Sequence, residues 1–492
     1  MNPLKKLASQ TAIYGLSSVV GRLLNYLLVP LYTRYFLPEE YGVVTELYAY
    51  VAFFVIILTY GIETAFFRFS QKEKNNRVVY STSLISLCIT STLFVFLMFL
   101  FSKEISTTIG YPQNIEYIKW FAIIIGLDAI SSISFAKLRA LNKATRFALI
   151  RLVNIFVNIG LNLFFIIYCP YAIENNLQSL NFVNSVYSAS VGVGYIFIAN
   201  LIASIVTIIM LLPEMIHSVW VFDKRLWKKM MVYAAPLLIA GLAGMTNETI
   251  DRILLKYLLP ENINTAIEIG LYGAFYKLSV IMILFIQTFR FAAEPFFFAQ
   301  EREANSRKIY ADVMKYFVIV TSLIFLLVTT FYNFFINFLG SNYHDERGFL
   351  VVSILLLANF FLGIYYNLSI WYKLTEKTIY GAYLAVFGAI ITIVLNFLLI
   401  PSIGFLGSAI ATLACYFLMV VASFALANKY FPVPYNLRRI SLYFFLMIGV
   451  YFILYYTNFT AIINLLFVLT YLLCIYVLER PKIKKNKTPK LF

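Results

Sequence analysis

The chain has 492 residues, of which 61% are apolar and only 13% charged, with a mean hydropathy of +0.82. Soluble domains carry about 25% charged residues, so a soluble protein is excluded. The excess of 39 Lys and Arg over 23 Asp and Glu leaves a net charge of +16, whose meaning depends on where those cations fall.

A hydrocarbon core ~30 Å thick takes roughly 20 apolar residues per helix. On that measure the sequence predicts fourteen segments: 9–33, 41–66, 78–102, 117–136, 147–169, 190–213, 230–256, 270–297, 314–339, 349–372, 378–400, 404–427, 437–457 and 460–478. The first follows Lys5 and Lys6 but runs too far for a signal sequence, carries Arg22 at its middle and lacks a small-residue cleavage site, so it reads as a retained span. The fold class is therefore all-α, a polytopic membrane protein of about 14 transmembrane helices.

Thirty of the 39 basic residues fall in the two tails and in the alternate connections that share their side. Positive charge stays on the cytoplasmic side of short loops, so both termini are expected in the cytoplasm. The charge is then a collar facing anionic lipid headgroups, not a nucleic-acid patch. The four cysteines show no CxxC spacing and the two histidines lie far apart. Neither a metal site, a cofactor site nor a His-based catalytic triad is expected.

An internal repeat appears once the segments are numbered. Arg34-Tyr35-Phe36-Leu37-Pro38-Glu39 before Tyr41-Gly42 is answered by Lys256-Tyr257-Leu258-Leu259-Pro260-Glu261 before Tyr272-Gly273. Glu63-Thr64-Ala65-Phe66-Phe67 is answered by Glu294-Pro295-Phe296-Phe297-Phe298, and Leu161-Asn162-Leu163 by Leu395-Asn396-Phe397. Six segments separate the copies, so both halves enter from the same side, a parallel repeat of the kind found in transporters. The expected division is residues 1–213 and 214–427 as the two halves, with 428–492 adding two further spans and a basic tail.

The stretch Leu31-Tyr32-Thr33-Arg34 through Pro38, Tyr41 and Gly42, the Gly61…Arg68 end of the second segment, and Leu138-Arg139-Ala140…Asn158…Asn162 resemble the amino-terminal half of polysaccharide flippases. Asp251-Arg252 and Asn396…Pro401…Gly404…Gly407 with Ala411-Thr412 resemble the other half. This family belongs to the multidrug/oligosaccharidyl-lipid/polysaccharide exporter superfamily. The resemblance implies two six-helix lobes in a V around a central cavity. It further implies transfer of an undecaprenyl-diphosphate-linked oligosaccharide, an O-antigen or capsule unit, from the cytoplasmic to the periplasmic leaflet. A polysaccharide polymerase and chain-length proteins are its implied partners. Fourteen spans are closer to the lipid II flippase branch, and a cation-coupled multidrug antiporter is the other alternative within the superfamily.

Ionisable groups inside spans are costly and should face a wet cavity or a partner. Arg22 shares a polar helical stripe with Thr11, Tyr14, Ser18 and Asn25. It is either a phosphate-binding guanidinium on a cavity wall or a partner of Glu46 or Asp128. Lys277 and Arg290, thirteen residues apart on segment eight, extend the candidate substrate site, with an Arg290–Glu294 helix pair as the structural alternative. The resemblance favours Lys277, since related flippases place basic residues in spans one and eight. Glu46, Asp128 and Glu248 are the candidate ion-coupling carboxylates or charge partners; Glu248 lies one turn before Arg252, where a local pair is the alternative. Asp251-Arg252 is a further candidate pair. Pro236, Gly241 and Gly244 give segment seven reason to bend or to pack closely. Segments thirteen and fourteen offer either an apolar groove for a polyprenyl tail or padding. An enzyme of glycan polymerisation is disfavoured, because it would need a sizeable catalytic outer loop that the chain lacks.

Overall fold

The computed structural model describes residues 20–21, 23–73, 76–177, 180–300, 303, 305–457 and 461–485. Among them there is no strand. In lipid every backbone N–H and C=O must be satisfied within the chain, and a helix does this locally. The helices of eight residues or more are α1 (Leu28–Tyr35), α2 (Pro38–Thr59), α3 (Ile62–Lys72), α4 (Asn76–Leu100), α5 (Ile115–Ala140), α6 (Ala144–Leu163), α7 (Gly194–Ile216) and α8 (Lys224–Leu258). They continue with α9 (Thr265–Gln300), α10 (Ser306–Thr330), α11 (Gly348–Leu368), α12 (Ile379–Ile403), α13 (Phe405–Tyr430), α14 (Leu437–Thr457) and α15 (Ala461–Lys485).

Thirteen helical stretches among the described residues are long and apolar enough to cross a membrane. Each overlaps one of the expected segments two to fourteen; residues 9–19 and 22 of the first expected segment lie outside the described residues. Local chemistry sets the ends. Pro38 opens α2 while Glu40 accepts the Leu37 N–H at 2.9 Å. Asp223 caps α8, accepting from the N–H groups of Arg225 and Leu226 at 2.8 and 3.0 Å. The second span is interrupted where Tyr60 and Gly61 are both left-handed, with φ of 33° and 71°. By contrast α8 continues through Pro236 as one helix.

The chain forms two compact units, Met1–Gly273 and Ala274–Phe492. In the first, α5 packs on α4 and α7, α7 on α6, and α8 on α2 and α3. The repeat-related starts of α2 and α9 also cross here, at glycines. A Cβ on Gly42 would collide with the Ala266 carbonyl, and one on Gly270 with that of Pro38. Thus α8 and the start of α9 pack with residues of the first half.

In the second unit α13 packs on α11 and α12, and α10 on α11 and α14. The last two helices are tied down by a buried charge cluster. Glu479 on α15 accepts from Lys315 on α10 at 2.8 Å, and from Arg439 and the Tyr443 hydroxyl on α14 at 2.5 and 2.6 Å. Asp312, one turn before Lys315, adds a second carboxylate at 3.5 Å.

Candidate functional site

The first unit encloses a polar cavity of about 560 Å³. Three helices supply most of its wall through polar stripes at helical spacing. On α5 these are Asp128, Ser131, Ser132 and Arg139; on α6, Arg151 and Asn154; on α7, Asn200, Ser204 and Thr207. Thr59 and Glu63, on either side of the left-handed break in the second span, complete it together with Gly21 and Asn25.

The wall is internally ordered. Asp128 accepts from the Ser204 hydroxyl at 2.9 Å, and Asn154 donates to Thr207 at 2.9 Å. Asn200 donates to the Tyr48 hydroxyl at 2.9 Å. Arg139 pairs with Glu63. The Arg151 guanidinium lies 4.2 Å from the centre of the Phe135 ring and feels the charge of Asp128. Stacked on an aromatic face, a guanidinium keeps its planar edge for a ligand. The cavity therefore combines two arginines, two carboxylates and a set of neutral oxygens and amides, which suits an anionic or polar ligand and a small cation beside it.

Of the residues singled out in the sequence, Asn25 and Asp128 line this cavity. Arg22 lies outside the described residues. Glu46 is not among the lining residues. It is buried against α8, where Lys256 donates to its two oxygens at 2.8 and 3.0 Å, and the Tyr111 hydroxyl also donates to it. Burial and the Glu46 charge push the Tyr111 hydroxyl well above its ordinary pKa, so it remains a donor.

Glu248 is exposed, and Arg252 donates to its main-chain carbonyl. The Arg252 guanidinium pairs with Asp251 at 3.1 Å, and Asp251 also accepts from the Tyr272 hydroxyl at 2.6 Å. Lys277 and Arg290 belong to the second unit. Lys277 is exposed. Arg290 stands 3.6 Å from Glu294 and over the Tyr366 ring at 3.9 Å, while Lys373 takes the same Glu294 at 2.6 Å. The helix-pair alternative for Arg290 is thus realised.

Sequence reasoning did not single out Arg139 and Arg151 as site residues, because both stood at span ends and counted as loop cations. The signal that finds Arg151 is the stripe Arg151, Asn154, Asn158, Asn162 at offsets of 3, 4 and 4 on α6. Its far end is fixed by Tyr32, which donates to Asn162 at 3.0 Å.

Two solved structures share the fold. The lipid II flippase MurJ in an inward closed conformation is 16% identical, with a TM-score of 0.72 over 96% of this chain and 99% of its own. A multidrug-resistance MATE family transporter of the MOP superfamily, in an inward-facing conformation, is 13% identical, with a TM-score of 0.66 over 86% and 95%. No curated protein matches the sequence. The sequence model of the polysaccharide biosynthesis protein family matches residues 7–300. With that match over more than half its length, and with the helical fold of MOP-superfamily transporters, the chain belongs to the polysaccharide biosynthesis protein family.

Proposed function

We propose that this protein is a flippase that carries an undecaprenyl-diphosphate-linked glycan repeat unit from the cytoplasmic to the outer leaflet by alternating access, with both termini in the cytoplasm. The observation that carries the reading is the arginine-bearing polar cavity inside a membrane-spanning unit. A diphosphate brings charge into a region of low dielectric, where opposing guanidinium groups gain strength and bind phosphate oxygens in pairs. Arg151 and Arg139 supply that chemistry in the first unit, with Arg22 as a further cation. In the second unit Lys277 is the candidate cation, and Arg290 contributes less because Glu294 and Tyr366 already engage it.

The polyprenyl tail has a candidate resting place in an apolar groove of about 350 Å³ among α11, α13 and α14, faced by Phe361, Phe417 and Phe444. Of the last two helices, α14 lines it among the described residues. A second reading, cation-coupled antiport of a drug, is favoured by one detail: Asp128 accepts from the neutral Ser204 hydroxyl, the kind of oxygen that joins a carboxylate in a proton or sodium site. In the flippase reading the same group couples an ion to transport.

The test is complementation of a flippase-deficient strain, together with binding of a polyprenyl diphosphate to purified protein. Arg22→Ala and Lys277→Ala should each abolish complementation while the protein still reaches the membrane. Arg22→Lys should be intermediate, keeping the charge but losing the planar fork, and Arg290→Ala milder. Wild-type transport and diphosphate binding by an Arg22→Ala/Lys277→Ala double variant would remove those two cations from the reading, and the same result with Arg139→Ala/Arg151→Ala would falsify the cationic cavity.

A further inference from the structure

The second unit holds a pocket of about 440 Å³ that the reading above does not use. It gathers Thr330 from the end of α10, Tyr332 just beyond it, Phe349 from the start of α11, Tyr451 and Tyr455 from the end of α14, and Asn464 from the start of α15. These helix ends lie on one side. Helices α10 and α14 reach it from starts bearing Arg307 and Lys308, and Arg438 and Arg439, while α15 leaves it toward Arg480. By the distribution of basic residues this is the outer end of the spans.

Its floor is aromatic. The Phe349 ring is nearly parallel to those of Tyr451 and Tyr455, at interplanar angles of 2° and 18° and centroid separations of 6.0 and 5.5 Å. Tyr332 meets Phe349 edge-on at 5.2 Å. Around this floor stand polar atoms left unanswered: Thr330 Oγ1, Tyr332 OH and Asn464 Oδ1 are buried with no partner among the described residues. Buried polar atoms nearly always find one, so three together in one pocket indicate a ligand that brings hydroxyl groups. Among the described residues no lysine or arginine lines the pocket, and Glu346 does. That charge pattern rejects a phosphate or an anionic headgroup and accepts hydrogen bonds from a neutral polyol.

A pyranose ring meets these requirements from both sides. One face is a sheet of C–H bonds that packs on aromatic rings, and its edge is a ring of hydroxyl donors and acceptors. We propose that this pocket is a saccharide subsite in which one neutral pyranose of the carried glycan lies against the Phe349, Tyr451 and Tyr455 rings and bonds to Thr330, Tyr332 and Asn464. The subsite rests on the flippase reading for its glycan. It would read the sugar on the outer side, in the opposite unit from the Arg139 and Arg151 cavity.

The test uses the purified full-length protein in lipid nanodiscs and saturation-transfer NMR with methyl glycosides of glucose, galactose, mannose and N-acetylglucosamine, probes that carry neither lipid nor phosphate. Wild type should transfer saturation to at least one glycoside, strongest at the C–H protons of one ring face. Tyr455→Ala and Asn464→Ala should each weaken binding about tenfold, and Tyr455→Phe should retain it. Tyr456→Ala, which removes a neighbouring exposed ring outside the pocket, should leave it unchanged. Absence of transfer to all four glycosides, or undiminished transfer in a Tyr455→Ala/Asn464→Ala variant, overturns the subsite. Flipping of a lipid-linked glycan in vesicles is scored separately. A protein that flips without sugar transfer removes the subsite alone, and one that shows variant-sensitive transfer without flipping removes the flippase reading alone.

Discussion

Lys256 grips both oxygens of Glu46 across 210 residues of sequence, at 2.8 and 3.0 Å, and donates also to the Ile109 carbonyl at 2.5 Å. The contact fastens α2, α8 and the loop before α5 to one another, with Glu46 almost fully buried. Removing one member of such a pair leaves a buried charge uncompensated, a loss of about 3–5 kcal/mol, whereas replacing both by apolar groups is often near neutral. Thermal unfolding in detergent should therefore rank Glu46→Leu and Lys256→Met well below wild type, with the double variant recovering most of the difference. Additive losses in the double variant would contradict the pairing.

Asp128 and Glu174 separate depth from mere charge. Asp128 lines the cavity beside Ser204, while Glu174 is exposed at the end of a short helix. Asp128→Asn should lower transport about tenfold or more, a barrier change of about 1.4 kcal/mol, and Glu174→Gln should leave it unchanged. Equal activities of the two variants, measured as lipid-linked glycan flux, remove Asp128 from the mechanism.

Arg151→Ala should abolish flux, and Arg151→Lys should recover part of it, since the ammonium retains charge without the planar fork. Melting temperatures of the two variants should stay close together. A large drop confined to the alanine variant would assign Arg151 to structure instead.

The glycine crossing of α2 and α9 makes a sharp contrast between positions. Gly42→Ala and Gly270→Ala each place a methyl group against a carbonyl, and overpacking of this kind costs about 1–3 kcal/mol or more. Gly160→Ala meets nothing within 4 Å on α6 and should be neutral or stabilising. Expression level and thermal stability in detergent report all three.

For topology, single cysteines in a cysteine-free background give the readout. One at Lys143 should be shielded from an impermeant thiol reagent in intact cells, and one at Asn176 labelled. The reverse pattern inverts the assignment of sides.

The spans were legible because each is a run of apolar residues that only a helix can carry through lipid. The Arg290–Glu294 pair was legible for the same kind of reason, since its partners are four residues apart on one helix. Glu46 was recognisable as an embedded charge, but its partner Lys256 was not, because nothing local relates residues 210 positions apart. Arg139 and Arg151 were hidden by their position at span ends, where a cation reads equally as loop or wall. Only the neighbouring asparagines on α6 distinguish the two. Segments thirteen and fourteen read as free of charge between 440 and 478; the residues that anchor them, Arg439 and Glu479, stand just outside those limits.

The Lys315–Glu479 contact has a consequence for biogenesis. Its two members are 164 residues apart, so a ribosome adding about 5–20 residues per second needs roughly 10–30 s between them. Throughout that interval α10 must reside in the bilayer with its lysine lacking the acceptor that α15 will bring. Asp312, on the same helix turn, is already synthesised and neutralises the lysine in the meantime. Arrival of α15 then releases Asp312 from sole duty and locks α10, α14 and α15 in a single step.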